Sequence, residues 1–157
     1  MNSSLQGGQI IQYADVNLGI AVALEYGLIV PVMKKAQDKN IIQIAQESQS
    51  LIDKARSGKL LPDEYKGGTF TISNLGMFGI ENFTAIINPP EAGILSISAV
   101  KKTPVVVEEK GGEAILIRPI MQVTLSVDHR IIDGLVATRF VNQLKAIVEK
   151  PLSILIH

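Results

Sequence analysis

The sequence predicts an α+β fold, a mixed β-sheet sandwich packed with helices, and three observations carry that expectation. Apolar, β-branched runs recur along most of the chain, as strands do. Two segments of helical period interrupt them at irregular places instead of alternating with every strand. Residues 121–130 alternate polar and apolar with a period of two. At 157 residues the chain is the size of one domain and long enough to enclose a core.

The opening MNSSLQGGQ is polar and glycine-rich, and the first strand is expected at IIQY. VNLGIAVAL and GLIVPVM follow as strands split by a turn at Glu25-Tyr26-Gly27, and their continuous apolar character suggests burial on both faces. From Asn40 the period becomes helical through Ile41, Ile44, Ala45, Ser48, Leu51, Ile52 and Ala55. Asn40 with Gln43 forms a capping-box pattern, Lys54 and Arg56 suit the negative end of the dipole, and Gly58 stops the helix.

GGTFTISNLGMFG then gives a short strand ending near Ser73 and a glycine-rich loop. After Phe83–Ile87 and the NPPE turn comes a strand at AGILSISAV. PVVVEEKGGEAILIRPIMQVTLSVD reads as a hairpin turning at Gly111-Gly112 with a long second arm. In that arm Met121, Val123, Leu125, Val127 and His129 share one face, and Gln122, Thr124, Ser126, Asp128 and Arg130 share the other. A last helix presents Val136, Phe140, Val141, Leu144, Ile147 and Val148 on one side and ends near Lys150. No internal repeat or linker is visible.

Composition narrows the function. Fifteen basic residues balance fifteen acidic ones, so no global field favours nucleic acid or an anionic membrane. The longest apolar stretch is broken by Glu25 and falls short of a membrane span. There is no cysteine, which removes disulfides, thiolate metal sites and cysteine nucleophiles and fits a reducing compartment. With two histidines, His129 and His157, and no carboxylate cluster, no metal site is expected. Phosphate-loop and dinucleotide-binding glycine patterns are missing too. Apolar residues at 46% are many for a lone soluble domain and hint at surface covered by other subunits.

His129 is the one candidate for acid–base chemistry near neutral pH. Its place at the end of an apolar strand face predicts substantial burial, which favours the neutral imidazole a base requires. The same position fits a core histidine bonded to a backbone carbonyl. Asp133, at the strand-to-helix junction, fits a helix N-cap as well as a site residue. Ser73, closing a strand beside a glycine-rich loop, fits a turn serine or a functional hydroxyl. Spacing alone leaves each pair of readings open.

Read together, the segments resemble a known family. DHRIIDG is similar to the His-x-x-x-Asp-Gly motif of the dihydrolipoamide acyltransferases, which chloramphenicol acetyltransferase shares. VNLGIAVALEYGLIVPVMKKA, GGTFTISNLGMFGIENFTAIINPPEAGILSI and MQVTLSVDHRIIDG resemble further blocks of that family, in family order, and cover nearly the whole chain. SNLGMFGIENFTAIINPPEA and VEKPLSILI lean towards the acetyl-transferring subunit of pyruvate dehydrogenase.

The resemblance implies a chloramphenicol acetyltransferase-like fold and acyl transfer between dihydrolipoamide and coenzyme A, both as substrates, without a metal. It implies His129 as general base, Ser73 as hydrogen-bond donor to the tetrahedral oxyanion, Asp133 as brace of the site and Asn74 as a coenzyme A contact. It also implies a homotrimer that builds a larger core, with base and serine drawn from different chains. Lipoyl domains, 2-oxo acid dehydrogenase and dihydrolipoamide dehydrogenase subunits are the implied partners. The location would be the bacterial cytoplasm, or the mitochondrial matrix in a eukaryote. Residues 1–157 correspond to the C-terminal portion of the family's catalytic domain, which begins with a further helix and strand carrying a basic residue that supports the aspartate. No lipoyl or peripheral-subunit-binding domain is expected within the chain. The alternative is a non-catalytic assembly fragment of such a core.

Overall fold

The computed structural model describes residues 1–109 and 112–152. His157 and the Gly111 half of the expected hairpin turn lie outside the described residues. A six-stranded mixed sheet is the centre of the molecule, with strand order β10-β7-β6-β3-β4 and β5 also paired to β3. Its strands are β3 (Leu18–Leu24), β4 (Gly27–Ile29), β5 (Val32–Met33), β6 (Phe70–Asn74), β7 (Gly93–Ile97) and β10 (Val123–Val127). β3, β6 and β7 run parallel, whereas β4, β5 and β10 are antiparallel to their neighbours. The expected α+β architecture is present.

Two ribbons stand apart from this sheet. β1 (Ser3–Gln6) pairs with β2 (Gln9–Gln12) across Gly7 and Gly8, which take positive φ of 57° and 79°. The polar opening therefore forms a strand that its composition did not announce. Pairing rests on backbone groups, and the two glycines supply a turn that other residues resist. β8 (Lys101–Glu109) pairs with β9 (Gly112–Ile120) as the second ribbon.

The long second arm of the expected hairpin is two strands. β9 stays with β8, and after exposed Met121 and Gln122 the chain enters the main sheet as β10 beside β7. The GLIVPVM strand is likewise split at Val30-Pro31. Pro31 has no N–H to give a ladder, and its carbonyl instead accepts from Ile20 N at 2.9 Å.

Helix α1 (Ile41–Arg56) packs on β3 and β5 and carries the expected capping box. Asn40 Oδ1 accepts from Gln43 N, and Gln43 Oε1 accepts from Asn40 N, both at 2.9 Å. Leu51 and Ala55 enter the core, whereas Ile41 at the start of the stripe is exposed. Helix α2 (Gly134–Glu149) packs on β10, with the Phe140 ring 5.7 Å from that of Phe70 on β6.

The core gathers Val22, Val32, Met33, Phe70, Ala92, Ile94 and Leu95 around the middle strands. Burial on both faces, expected for the first strands, holds only near the sheet's centre. The β3–β4 hairpin projects past it, leaving Leu24 and Leu28 exposed and Tyr26 93% exposed.

Candidate active site

Pairing register lines up hydroxyl side chains on one face of the sheet. Ser73 on β6 is level with Ser96 on β7, and Ser96 with Thr124 on β10. In the next row Thr71 is level with Ile94, and Ile94 with Ser126. Paired residues point to the same side of a sheet, and residues two apart along a strand do so as well. One face thus carries Thr71, Ser73, Ser96, Thr124 and Ser126. The other face meets α2 through Phe70.

Most of these hydroxyls are engaged. Ser96 Oγ accepts from Ala85 N at 3.1 Å, and Ser126 Oγ donates to Ala85 O at 2.8 Å. Thr124 Oγ1 bonds Asn82 Oδ1 at 3.1 Å. Thr71 Oγ1 donates to Glu91 Oε2 at 2.6 Å. Half-buried Ser73 has no such partner among the described residues. Its hydroxyl is free to donate to something else.

Ser73 is followed by a tight turn. Asn74 Oδ1 accepts from Gly76 N at 2.9 Å, and the 3₁₀ turn Gly76–Phe78 closes on Gly79 at φ +74°. That leaves the Asn74 amide NH₂ as an exposed donor pair beside Ser73. Met77 and Phe78 at the turn are 70% and 64% exposed, so the surface that follows Ser73 along the chain is apolar.

At the other end of β10 the chain leaves the sheet at Val127. Asp128 O accepts from both Ile131 N and Ile132 N, at 3.1 and 3.0 Å, and buried Ile132 pins the turn. The Asp128 carboxylate accepts from Arg130 N and from its guanidinium, with Nη2 at 2.7 Å from Oδ2. These bonds from Arg130, side chain first, lower the Asp128 carboxyl to about 2. Asp133 caps α2, its Oδ1 accepting from Val136 N at 2.8 Å.

His129 lies in this turn and is exposed. The expectation of burial is therefore corrected. β10 ends two residues earlier, so its alternation never reaches position 129, and the Asp128–Arg130 turn directs the chain outward. The argument that burial keeps this imidazole neutral falls with it.

The four expected site residues form two separate pairs, Ser73 with Asn74 and His129 with Asp133. β6 and β10 flank β7 and run oppositely, so Ser73 sits at one end of the sheet and Val127 at the other. Three residues of rise and two strand spacings put about 14 Å between them, with His129 beyond. One chain does not bring the histidine to the serine.

Glu91 was not anticipated. It is 5% exposed, and burial raises its carboxyl above the ordinary value against the bonds from Thr71 and Asn88. A Cβ on Gly68 would collide with its Oε1, so the glycine makes room for it. The NPPE turn offered only a residue type usual at the surface. Among the described residues, no group of three or more His, Cys, Asp or Glu is placed to hold a metal ion. No described helix is long and apolar enough to cross a membrane.

Comparison with known proteins agrees with this architecture. The dihydrolipoyllysine-residue acetyltransferase component of the pyruvate dehydrogenase complex of Rickettsia conorii is 45% identical over 155 residues, which is 99% of this chain and 37% of that protein. The corresponding component of the acetoin cleaving system of Bacillus subtilis is 43% identical, over 99% of this chain and 38% of that one. A probable dihydrolipoamide acetyltransferase from Listeria monocytogenes superposes with a TM-score of 0.88 at 43% identity, covering 95% of this chain and 62% of that one. The dihydrolipoamide acetyltransferase of Azotobacter vinelandii superposes at 0.90 with 41% identity, covering 98% and 63%. That structure was solved to examine a serine, a histidine and an asparagine in its catalytic mechanism. The chain thus spans under two fifths of these two curated relatives and under two thirds of the solved chains. Residues 1–156 match the family model as well, and the chain belongs to the 2-oxoacid dehydrogenases acyltransferase (catalytic domain) family.

Proposed function

We propose that the chain carries the two halves of an acyl-transfer site, each completed by a second copy, that moves an acetyl group between dihydrolipoamide and coenzyme A. The observation that carries this reading is the separation of exposed His129 from unpartnered Ser73 at opposite ends of one sheet. Both side chains stand ready for a partner that their own chain does not supply.

In the forward direction His129 takes the proton of the coenzyme A thiol. A free thiol has a pKa of about 8.5, so at neutral pH it needs a base to become the attacking thiolate. The thiolate attacks the thioester carbonyl of acyl-dihydrolipoamide and its oxygen becomes an oxyanion. Ser73 Oγ–H from the neighbouring copy donates to that oxygen; one such donor is worth roughly 3 kcal/mol in the transition state. Collapse expels the dihydrolipoamide thiolate, which recovers the proton from the imidazolium. Asp133 fixes the turn that presents His129 while capping α2. The free NH₂ of Asn74 contacts coenzyme A beside Ser73.

The same reading makes the working unit a homotrimer within a larger core. Lipoyl domains would deliver the acyl group, and 2-oxo acid dehydrogenase and dihydrolipoamide dehydrogenase subunits would dock elsewhere in the complex. The workplace would be the cytoplasm or the mitochondrial matrix. The test is acetyl transfer from acetyl-CoA to dihydrolipoamide by the purified chain and by His129→Ala, with the mass measured by light scattering. Turnover that drops at least a hundredfold in the variant, from a trimer or larger shell, supports the reading. Equal rates sink the base, and a discrete assembly without turnover favours the assembly-fragment alternative.

A further inference from the structure

The segment between β6 and β7 is strapped to the hydroxyl face of the sheet. Ala99 N donates to Ile80 O at 2.7 Å at one end of the strap. Asn82 meets Thr124, and Ala85 is held through both of its backbone groups, N–H by Ser96 and C=O by Ser126. At the far end Glu91 N donates to Asn88 O, and the Glu91 carboxylate reaches Thr71 on β6. Residues 81–88 have no strand of their own, so these side chains replace the ladder that would otherwise hold the backbone.

The strap decides which hydroxyls of the face remain available. Ser96 is fully buried and lies level with Ser73 on the adjoining strand. Side chains so paired are about 5 Å apart at Cβ, within reach of a serine–serine bond. Ala85 N takes one of the two lone pairs of Ser96 Oγ, and among the described residues no bond runs from Ser73 to Ser96. Of the five hydroxyls on these strands, four are engaged and Ser73 alone is left. Ser98, one step past β7, also has an unpartnered Oγ, but it is enclosed at 2% exposure.

We propose that Ser126, acting with Ser96, is a positioning residue that clamps the Ala85 peptide so that Ser73 keeps its hydroxyl free and in place. The catalytic half of this inference rests on the acyl-transfer reading, whereas the clamp does not. Because the sequence has no cysteine, Ser73→Cys gives the protein a single thiol whose alkylation by iodoacetamide reports on that position.

Three versions of the 157-residue chain are compared: Ser73→Cys alone, with Ser126→Ala, and with Ser126→Thr. Loss of the clamp releases Ser96 to bond the residue at position 73 and lowers the alkylation rate about fivefold; threonine, which keeps the hydroxyl, restores it to within about twofold, and a rise overturns the proposal. Ser96→Ala removes the other grip and serves if Ser126→Ala does not fold. In the chain with Ser73 intact, Ser126→Ala lowers kcat about tenfold with the KM for coenzyme A nearly unchanged, because orientation is lost and binding is not. Equal alkylation rates across the three proteins overturn the proposal, as does an unchanged kcat or a KM that rises in step with the loss of kcat. If the unaltered chain shows no transfer at all, the acyl-transfer reading fails while the alkylation rates still decide the clamp.

Discussion

Mixing two inactive variants should restore activity. His129→Ala keeps the serine half of the proposed site, and Ser73→Ala keeps the histidine half. Each alone loses nearly everything: removing a general base costs ~10²–10⁴-fold and removing one oxyanion donor ~10²–10³-fold. Within one chain the two residues are separated by roughly 14 Å from Ser73 to Val127, with His129 further on, and no side-chain rotation closes that gap. In a cyclic assembly each proposed site would take its histidine from one copy and its serine from the next. Random assembly of equal amounts makes the histidine donor intact in half the sites and the serine donor intact in half of those. About one quarter of sites are then complete, so activity returns to about a quarter of the unaltered protein's. The assay is acetyl transfer to dihydrolipoamide by co-expressed, co-purified variants, against each variant purified alone. A mixture no more active than the mean of its parents would refute the sharing of sites and the mechanism built on it.

Asp133→Ala should destabilise the chain by about 1 kcal/mol in urea unfolding through loss of the N-cap, while Asp133→Asn keeps the cap. Reduced transfer by the asparagine variant would then report on bracing of the site rather than on the helix. Glu91 has a folded-state carboxyl pKa raised by burial, so its stabilising effect is complete below the unfolded value near 4.5 and is lost as pH rises through the folded value. Glu91→Gln should therefore gain in melting temperature over the unaltered chain as pH rises from the unfolded value to the folded one and level off above it, and a pH-independent difference would count against this. Gly19→Ala places a Cβ 2.5 Å from Thr71 Oγ1 and 2.8 Å from Val30 Cγ1. A loss of about 1–3 kcal/mol is expected in the same unfolding experiment.

The fold was legible wherever one residue type does one physical job. Asn40 and Gln43 announced the start of α1 because capping is local, and Asp133 announced α2 for the same reason. Legibility failed where a distant partner decides the outcome. Nothing within Ser3–Gln6 says strand until Gln9–Gln12 folds back on it. The break between β9 and β10 is invisible along the alternation, because the chain leaves β8 at Ile120 and joins β7 at Val123. Ser73 and His129 could be singled out by type and place, but their separation follows from strand order and direction, which no local pattern contains.

The turn after β10 explains why the burial expectation for His129 failed and why the failure favours a shared site. The sequence Asp128-His129-Arg130 puts the histidine between two residues occupied with each other. Asp128 accepts from the guanidinium of Arg130, and its carboxyl, lowered to about 2, is ionised near neutral pH. Asp128 O meanwhile holds the N–H groups of Ile131 and Ile132, and Ile132 is buried at 3% exposure. With both flanks engaged in hydrogen bonds, His129 stands exposed on the turn. An imidazole inside its own chain's core would be closed to a neighbour's serine, whereas one presented on an anchored turn can enter a neighbour's surface with little conformational entropy left to lose.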